Sequence, residues 1–168
     1  QDCVGIDTLG EGLSYVALGH IHKAQRVSGH EEIRYAGSPV ALSFSEKNYK
    51  RSVMRVEINA DGTTNLTPIE YEPLRPLISI PATGSLLPEQ VLDAVAKLPV
   101  AADNDNGDTW PYAELRIQID EPKPALLNDV LDLLSNKAVH YCRIVRVSSK
   151  AAANDDDAPQ SLESLQHL

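Results

Sequence analysis

The chain has 168 residues, 42% of them apolar and 23% charged; that is enough for one ordinary domain or two small ones. One Trp, one Phe and six Tyr leave the core to aliphatic side chains. A net charge of −9 argues against a general nucleic-acid sponge, and apolar runs as short as Val16–Leu18 are far too brief to span a bilayer, so no membrane association is expected.

The charge is unevenly spread. Residues 151–168 hold Asp155, Asp156, Asp157 and Glu163 with no Lys or Arg, so the rest of the chain carries −5. "KNYKRSVMR" instead supplies Lys47, Lys50, Arg51 and Arg55 with no acid among them. It reads either as a local basic patch or as a solvated loop followed by the outer face of a strand. Cys3 and Cys142 stand near opposite ends, which is no disulfide framework and fits a reducing cytoplasm.

Taken in order, the first half reads as short strands joined by turns. Tyr15–Leu18 is a continuous apolar run, as expected of a strand buried on both faces. "AQRVSGHEEIRYAG" predicts a hairpin turning at Ser28–Gly29–His30. Val53–Ile58 alternates, with Met54, Val56 and Ile58 on one face and Arg55 and Glu57 on the other. Asp61-Gly62 is a turn signal, and Leu66–Tyr71 returns as the partner strand. The expectation is a meander without a helix of its own.

Pro73 and Pro76 punctuate the chain and place a domain boundary near residue 74. Beyond it strands and helices alternate. Leu77–Ile80 is a strand; Pro88 opens a helix with the stripe Leu87, Val91, Val95 and Leu98. After the polar loop "AADNDNGDTWP", Leu115, Ile117 and Ile119 alternate with Glu114, Arg116 and Gln118 in a strand. Pro124 opens a second helix with the stripe Leu127, Val130, Leu131 and Leu134, and Val139–Val147 closes the series. The order β-α-β-α-β implies a small sheet with helices packed on it. From Ser148 the composition is that of an acidic linker, and "SLESLQHL" has Ser161 placed to cap a helix that barely begins. That ending, and a first residue that is Gln, lead to the expectation of a segment cut from a longer polypeptide.

The chemistry-bearing candidates are His20 and His22, at the end of the first apolar strand. In an extended segment, residues two apart share a face with Cα atoms roughly 6.5–7 Å apart. Two such imidazoles can converge on one metal, or each take one of two metals held about 3.5–4 Å apart. Gly19 is expected to let the backbone turn sharply there. The alternative is two surface histidines either side of a core Ile21. Ser38 reads as a structural turn before Pro39 rather than a nucleophile, because no acid–base partner is evident. Gly107-Asp108 reads as an exposed turn, and Trp110 as packing against the second sheet rather than stacking on a base. His30 is expected in a hairpin turn, His140 in a strand and His167 in the tail.

Two longer strings carry a resemblance. "YVALGHIHKAQ" is followed by "IRYAGSPVALSFSEKNYKRSV", with Tyr35, Gly37, Ser38, Pro39, Leu42, Ser43, Phe44 and Glu46 in a Y-x-GSP…LSF-x-E pattern. Residues 13–58 resemble the SbcD nuclease subunits of bacterial SbcCD complexes, and the second half is consistent with them. The resemblance implies an α+β fold. Residues 1–74 would be the C-terminal strands of a calcineurin-like metallophosphoesterase β-sandwich. Residues 75–149 would form a small β-α-β-α-β capping domain, and residues 150–168 a linker and the start of a further segment. It implies that His20 and His22 each ligate one of two Mn2+ ions (Mg2+ being the other possibility) at a centre that hydrolyses DNA phosphodiesters. The implied activity is a double-stranded exonuclease and single-stranded endonuclease of DNA repair and recombination. The partners implied are DNA, an SbcC-type coiled-coil ATPase whose ATP state gates access, and a second copy of the full subunit. Lys23, Gln25 and Arg26 after the metal loop, and Lys47, Lys50 and Arg51 further on, are candidate phosphate contacts.

The family's other ligands are an Asp-X-His, a Gly-Asp, an Asn in a GNHD or GNHE string and another His, in that order ahead of the Gly-His-X-His. None precedes His20 here. The 168 residues alone are therefore expected to bind manganese weakly and not to cut DNA. Two alternatives remain: a metallophosphoesterase for another phosphodiester such as a cyclic nucleotide, since the Gly-His-X-His ending is shared across that superfamily, and a non-catalytic DNA- or partner-binding module.

Overall fold

The structure, a computed structural model, describes residues 5–121 and 123–148. The expectations for Cys3, Ser161, His167 and the acidic tail lie outside them. The class is α+β. No helix among the described residues is long and apolar enough to cross a membrane. The chain divides into two compact units, Gln1–Leu77 and Ile78–Leu168.

In the first unit a one-turn helix, α1 (Ile6–Leu9), precedes β1 (Val16–Leu18), β2 (Gln25–Val27) and β3 (His30–Tyr35). A three-residue 3-10 turn follows at Phe44–Glu46, then β4 (Arg51–Ile58) and β5 (Thr64–Tyr71). The helical turn corrects the expectation of none. The β2–β3 hairpin forms as expected, and Val27 pairs with His30 across a two-residue loop. Ser28 (φ 46°) and Gly29 (φ 83°) are both left-handed, the conformation whose twist matches that of the strands it joins. His30 is thus the first strand residue rather than part of the turn.

The meander needs correcting. The sheet order is β1-β3-β2, and β1 runs parallel to β3 with Val16 opposite Ile33 and Leu18 opposite Tyr35. A parallel pair cannot be closed by a tight turn, so the chain leaves β1, crosses over residues 19–24 and returns through the hairpin. Among the described residues β1 stands at the edge of this sheet. Val16 and Leu18 are half-buried and Ala17 is exposed, not buried on both faces as the apolar run implied. Ile33 of the middle strand is the buried residue, at 1% exposure.

β4 and β5 pair antiparallel from Arg51 opposite Tyr71 to Ile58 opposite Thr64. The Asp61-Gly62 turn closes them: Gly62 sits at φ 84° and the Asp61 carboxylate accepts from the Thr63 N–H at 3.0 Å and hydroxyl at 2.6 Å. Met54 and Val56 are half-buried while Val53, Arg55 and Glu57 face solvent, as the alternation predicts. Ile58, at the end of the strand, is exposed.

The second unit runs β6 (Leu77–Ile80), α2 (Pro88–Ala96), β7 (Tyr112–Gln118), α3 (Pro124–Leu134) and β8 (His140–Val147). The sheet order is β6-β7-β8, with β7 and β8 parallel. Both helices begin with Pro, whose missing N–H costs nothing in the first turn. The core joins Val91 and Val95 of α2, Leu115 and Ile117 of β7, and Leu126, Val130 and Leu134 of α3. Two stripe assignments shift. α3 buries Leu126, Val130 and Leu134, four residues apart, and leaves Leu127 and Leu131 exposed at 42% and 41%. Leu87 precedes the first turn of α2 and is exposed; its N–H donates to the Gln90 side chain at 2.9 Å.

Alternation also misassigns Glu114, which is 3% exposed. Its carboxylate accepts from Ser79 Oγ (2.8 Å) and from Arg143 Nε (2.9 Å) and Nη2 (2.8 Å), the two-pronged pairing that makes a buried carboxylate tolerable. Lys137 is likewise buried, and its ammonium donates to Ala96 O (2.6 Å) and Leu98 O (3.1 Å) at the end of α2, where helix carbonyls lack partners.

The loop before β7 is ordered by its acids. Gly107 is buried at φ 74°, against expectation, while Asp108 beside it is exposed and in a turn as expected; an added Cβ on Gly107 would lie 3.2 Å from the Trp110 ring. His140, the first residue of β8, has its Nε2 2.9 Å from Gly107 O and its ring centroid 5.5 Å from that of Trp110. Asp105 accepts from Trp110 Nε1 (2.8 Å) and the Gly107 N–H (2.9 Å). The Trp110 bond chiefly, then the Gly107 bond, hold the Asp105 carboxyl below the usual aspartate value. A carboxylate with a depressed folded value stabilises the loop above its unfolded value, and that contribution is lost as pH falls through the folded one. Trp110 is the sole tryptophan, so acid titration of its fluorescence is expected to show a transition below the ordinary aspartate range. Asp105→Asn should remove it; the same transition in that variant would disprove the assignment.

Candidate metal-binding loop

β1 ends at Leu18, and Gly19–His22 are not in a strand. The residue that turns the chain is His20, at φ 82°; Gly19 is not left-handed. This corrects two expectations together. The sharp turn belongs to a histidine, one of the few non-glycine types that visits this region with any frequency. The two imidazoles are also not related by the even spacing of an extended strand. His20 is exposed, and the left-handed bend at its own Cα sets its direction. Such a conformation costs a non-glycine residue roughly 1–2 kcal/mol, and it persists where surrounding structure enforces it.

His22 is anchored at three points. Its carbonyl accepts from the Ser38 N–H at 2.9 Å. Gly37, at φ 87°, passes so close that an added Cβ would lie 3.0 Å from both His22 O and Ala24 N. The His22 ring is held too, with Nδ1 2.7 Å from Glu46 Oε1. Glu46 is only 8% exposed and sits in the 3-10 turn, with Oε2 accepting from the Leu42 N–H at 3.1 Å. Burial opposes its ionisation most, but hydrogen bonds from His22 and Leu42, with attraction to His22 and Arg51, together hold its carboxyl below the usual value. An ionised carboxylate has no proton to give, so Nδ1 is the donor, and in a neutral ring the lone pair then lies on Nε2.

Arg51 closes the cradle from behind. Its guanidinium donates from Nη1 to Ser38 O (3.0 Å) and from Nη2 to Glu46 O (2.9 Å), and it is 6% exposed. That inward position corrects its expected role as a phosphate contact, because its donors already hold the backbone of the His22 cradle. Two cations approach the Tyr49 ring, with Lys23 Nζ 5.9 Å and Arg51 Cζ 5.7 Å from its centroid. Ser38 donates its hydroxyl to Val40 O at 2.5 Å, in keeping with a structural turn.

The other candidate phosphate contacts are dispersed. Gln25 Nε2 donates to Lys23 O at 3.3 Å. Arg26 and Arg34 both pair with Glu31. Lys47 is half-buried, and Lys50 is exposed with Nζ 3.2 Å from Glu70. The segment 47–55 contains no acid, but Glu46 adjoins it in sequence and the fold brings Glu70 against Lys50, a neutralisation that counting within the segment misses. His30 Nδ1 lies 2.9 Å from Glu32 Oε1, away from the His22 cradle in the chain. Among the described residues no group of three or more His, Cys, Asp or Glu is arranged to hold a metal ion. An imidazole tied through one nitrogen to a carboxylate is nonetheless the donor chemistry that metal sites use, so His22 fits a ligand role as one member of a larger set. Sequence reasoning missed Glu46 and Arg51 as parts of this site. Both lie inside strings that carry only resemblance or charge.

Comparison with known proteins places the chain in a family. Residues 73–168 match the SbcD_C family model, described as the type 5 capsule protein repressor C-terminal domain. The chain is 29% identical over 116 residues to the SbcD subunit of the SbcCD nuclease of Rhodobacter capsulatus, covering 69% of this chain and 27% of that protein. It is 36% identical over 92 residues to the same-named protein of Escherichia coli K12 (53% and 23%), and 33% over 84 residues to that of Bacillus subtilis (49% and 22%). The chain thus spans about a quarter of the length of these curated relatives. The family match covers more than half of the chain, and the chain belongs to the SbcD family of SbcCD nuclease subunits.

Proposed function

We propose that this chain is part of a metal-dependent DNA nuclease subunit, in which His20 and His22 each ligate one of two Mn2+ ions, or Mg2+ in their place. The observation that carries the reading is His22 itself: Nδ1 tied to the buried Glu46 carboxylate at 2.7 Å, Nε2 left to coordinate. Family membership and the relatives' name as nuclease subunits support it. When bound, such an ion pair activates water and offsets the charge that develops on a phosphodiester. The remaining ligands would come from other parts of the full subunit, so the 168 residues alone bind metal weakly and do not cut DNA. The sheets of the first unit then belong to a calcineurin-like metallophosphoesterase sandwich, and the second unit is the capping domain. Lys23, Gln25, Arg26, Lys47 and Lys50 would track the phosphate backbone. An SbcC-type ATPase would gate access through its ATP state, a second copy of the full subunit would complete a dimer, and the assembly would act in cytoplasmic DNA repair and recombination.

The test uses the complete subunit containing this chain. His20→Ala and His22→Ala should each lower manganese-dependent cleavage of double-stranded DNA at least about 100-fold, with the circular dichroism spectrum unchanged. Reversing Lys23 and Arg26 to Glu should weaken DNA binding and flatten its dependence on log salt by about two ions. Cleavage that survives both histidine changes would sink the metal reading, and an unchanged salt slope would remove the Lys23–Arg26 contact.

A further inference from the structure

We propose that Glu46 is a positioning residue for His22: it fixes the ring as the Nδ1–H tautomer and so dictates that Nε2 meets the metal. The proposal rests on the reading of His22 as a ligand and deepens it.

A neutral imidazole has two tautomers, and which nitrogen is free is decided by what the other one touches. Here the touching group is a carboxylate at 2.7 Å that is itself immobilised. Glu46 has one oxygen on His22 and the other on the Leu42 N–H, while its own carbonyl is held by Arg51 Nη2. Arg51 Nη2 also lies 3.7 Å from Glu46 Oε2. The same guanidinium grips Ser38 O through Nη1, and Ser38 N–H holds the His22 carbonyl. The circuit therefore closes on His22 from both sides, backbone through Ser38 and ring through Glu46. Exposure is graded along it: the side chains of Arg51 and Glu46 are 4% and 10% exposed, whereas that of His22 is 42% exposed. A buried base thus carries a half-exposed ring, the exposure that a ligand requires. His20 differs, in that the left-handed bend of its own backbone sets its direction.

Imidazole 15N spectra of the 168-residue chain at about pH 8.5, where an ordinary histidine is neutral, should show His22 protonated on Nδ1. Glu46→Ala should convert it to the Nε2–H form or a mixture. Manganese affinity of the complete subunit should fall about 10- to 100-fold in Glu46→Ala and return to within a few-fold in Glu46→Gln, whose amide oxygen can still accept the Nδ1 proton. A predominantly Nε2–H ring in the parent chain overturns the proposal. So does Glu46→Ala that keeps full affinity while His22→Ala loses it, an outcome that leaves His22 a ligand. If His22→Ala also keeps full affinity, the ligand reading fails and takes this one with it. Amide spectra of Glu46→Gln separate a lost fold from a lost tautomer.

Discussion

Leu115→Ala is expected to cost the second unit about 2–5 kcal/mol. Leu115 is fully buried in β7, the middle strand of its sheet, and belongs to one cluster with Val91, Val95 and Val130. Truncation would leave a cavity beneath two helices on a strand that is hydrogen-bonded on both edges, so the strand cannot move to fill it without breaking sheet hydrogen bonds. Trp110, the sole tryptophan, lies in this unit, so its fluorescence reports the unfolding of this unit. With a urea dependence of about 1–3 kcal/mol per molar, the midpoint should drop by at least about 0.7 M. Leu127→Ala is the control: Leu127 is 42% exposed, and its loss should stay under about 1 kcal/mol. Equal effects at the two positions would contradict the packing of α3.

That pair also marks how far sequence periodicity reaches. Helix starts are legible because Pro88 and Pro124 act locally, and the Asp61-Gly62 turn because its geometry is set within five residues. The face of α3 is not, because Leu126, Leu127, Val130 and Leu131 give a broad apolar arc, and only the sheet decides which edge of it is covered. Val130 and Leu134 lie on either choice; Leu126 and Leu127 do not. Glu114 escapes for a related reason: its partners Ser79 and Arg143 are 35 and 29 residues away, beyond any local pattern. The parallel β1–β3 pairing is invisible because apolar runs specify strands and not their neighbours. In the candidate site, the residue types of His20 and His22 are legible, but the strand spacing expected of them does not hold. Propensity alone assigns the left-handed turn to Gly19 instead of His20, and the tie between His22 and Glu46 spans 24 residues.

Gly37→Ala is expected to destabilise the first unit by about 2–5 kcal/mol, from two separable causes. The left-handed conformation costs an L-residue roughly 1–2 kcal/mol, and crowding adds about 1–3 kcal/mol. The crowding follows from geometry, since the new Cβ would stand 3.0 Å from His22 O and from Ala24 N. Those are backbone atoms, so no side-chain rotation relieves them. Gly62 supplies the comparison, because it has nearly the same φ, 84° against 87°, with nothing within 4 Å of an added Cβ. Gly62→Ala should therefore show the conformational cost alone. Residue-resolved amide exchange in the first unit measures both. The difference between the two variants isolates the push on the His22 carbonyl, and the Ser38 amide that donates to it should lose protection in Gly37→Ala only. Because the same push moves the imidazole relative to Glu46, the His22 Nδ1 signal should shift in Gly37→Ala and stay in place in Gly62→Ala. Equal destabilisation in the two variants, with His22 undisturbed, would mean that Gly37 serves only its own turn and that the cradle does not depend on its close approach.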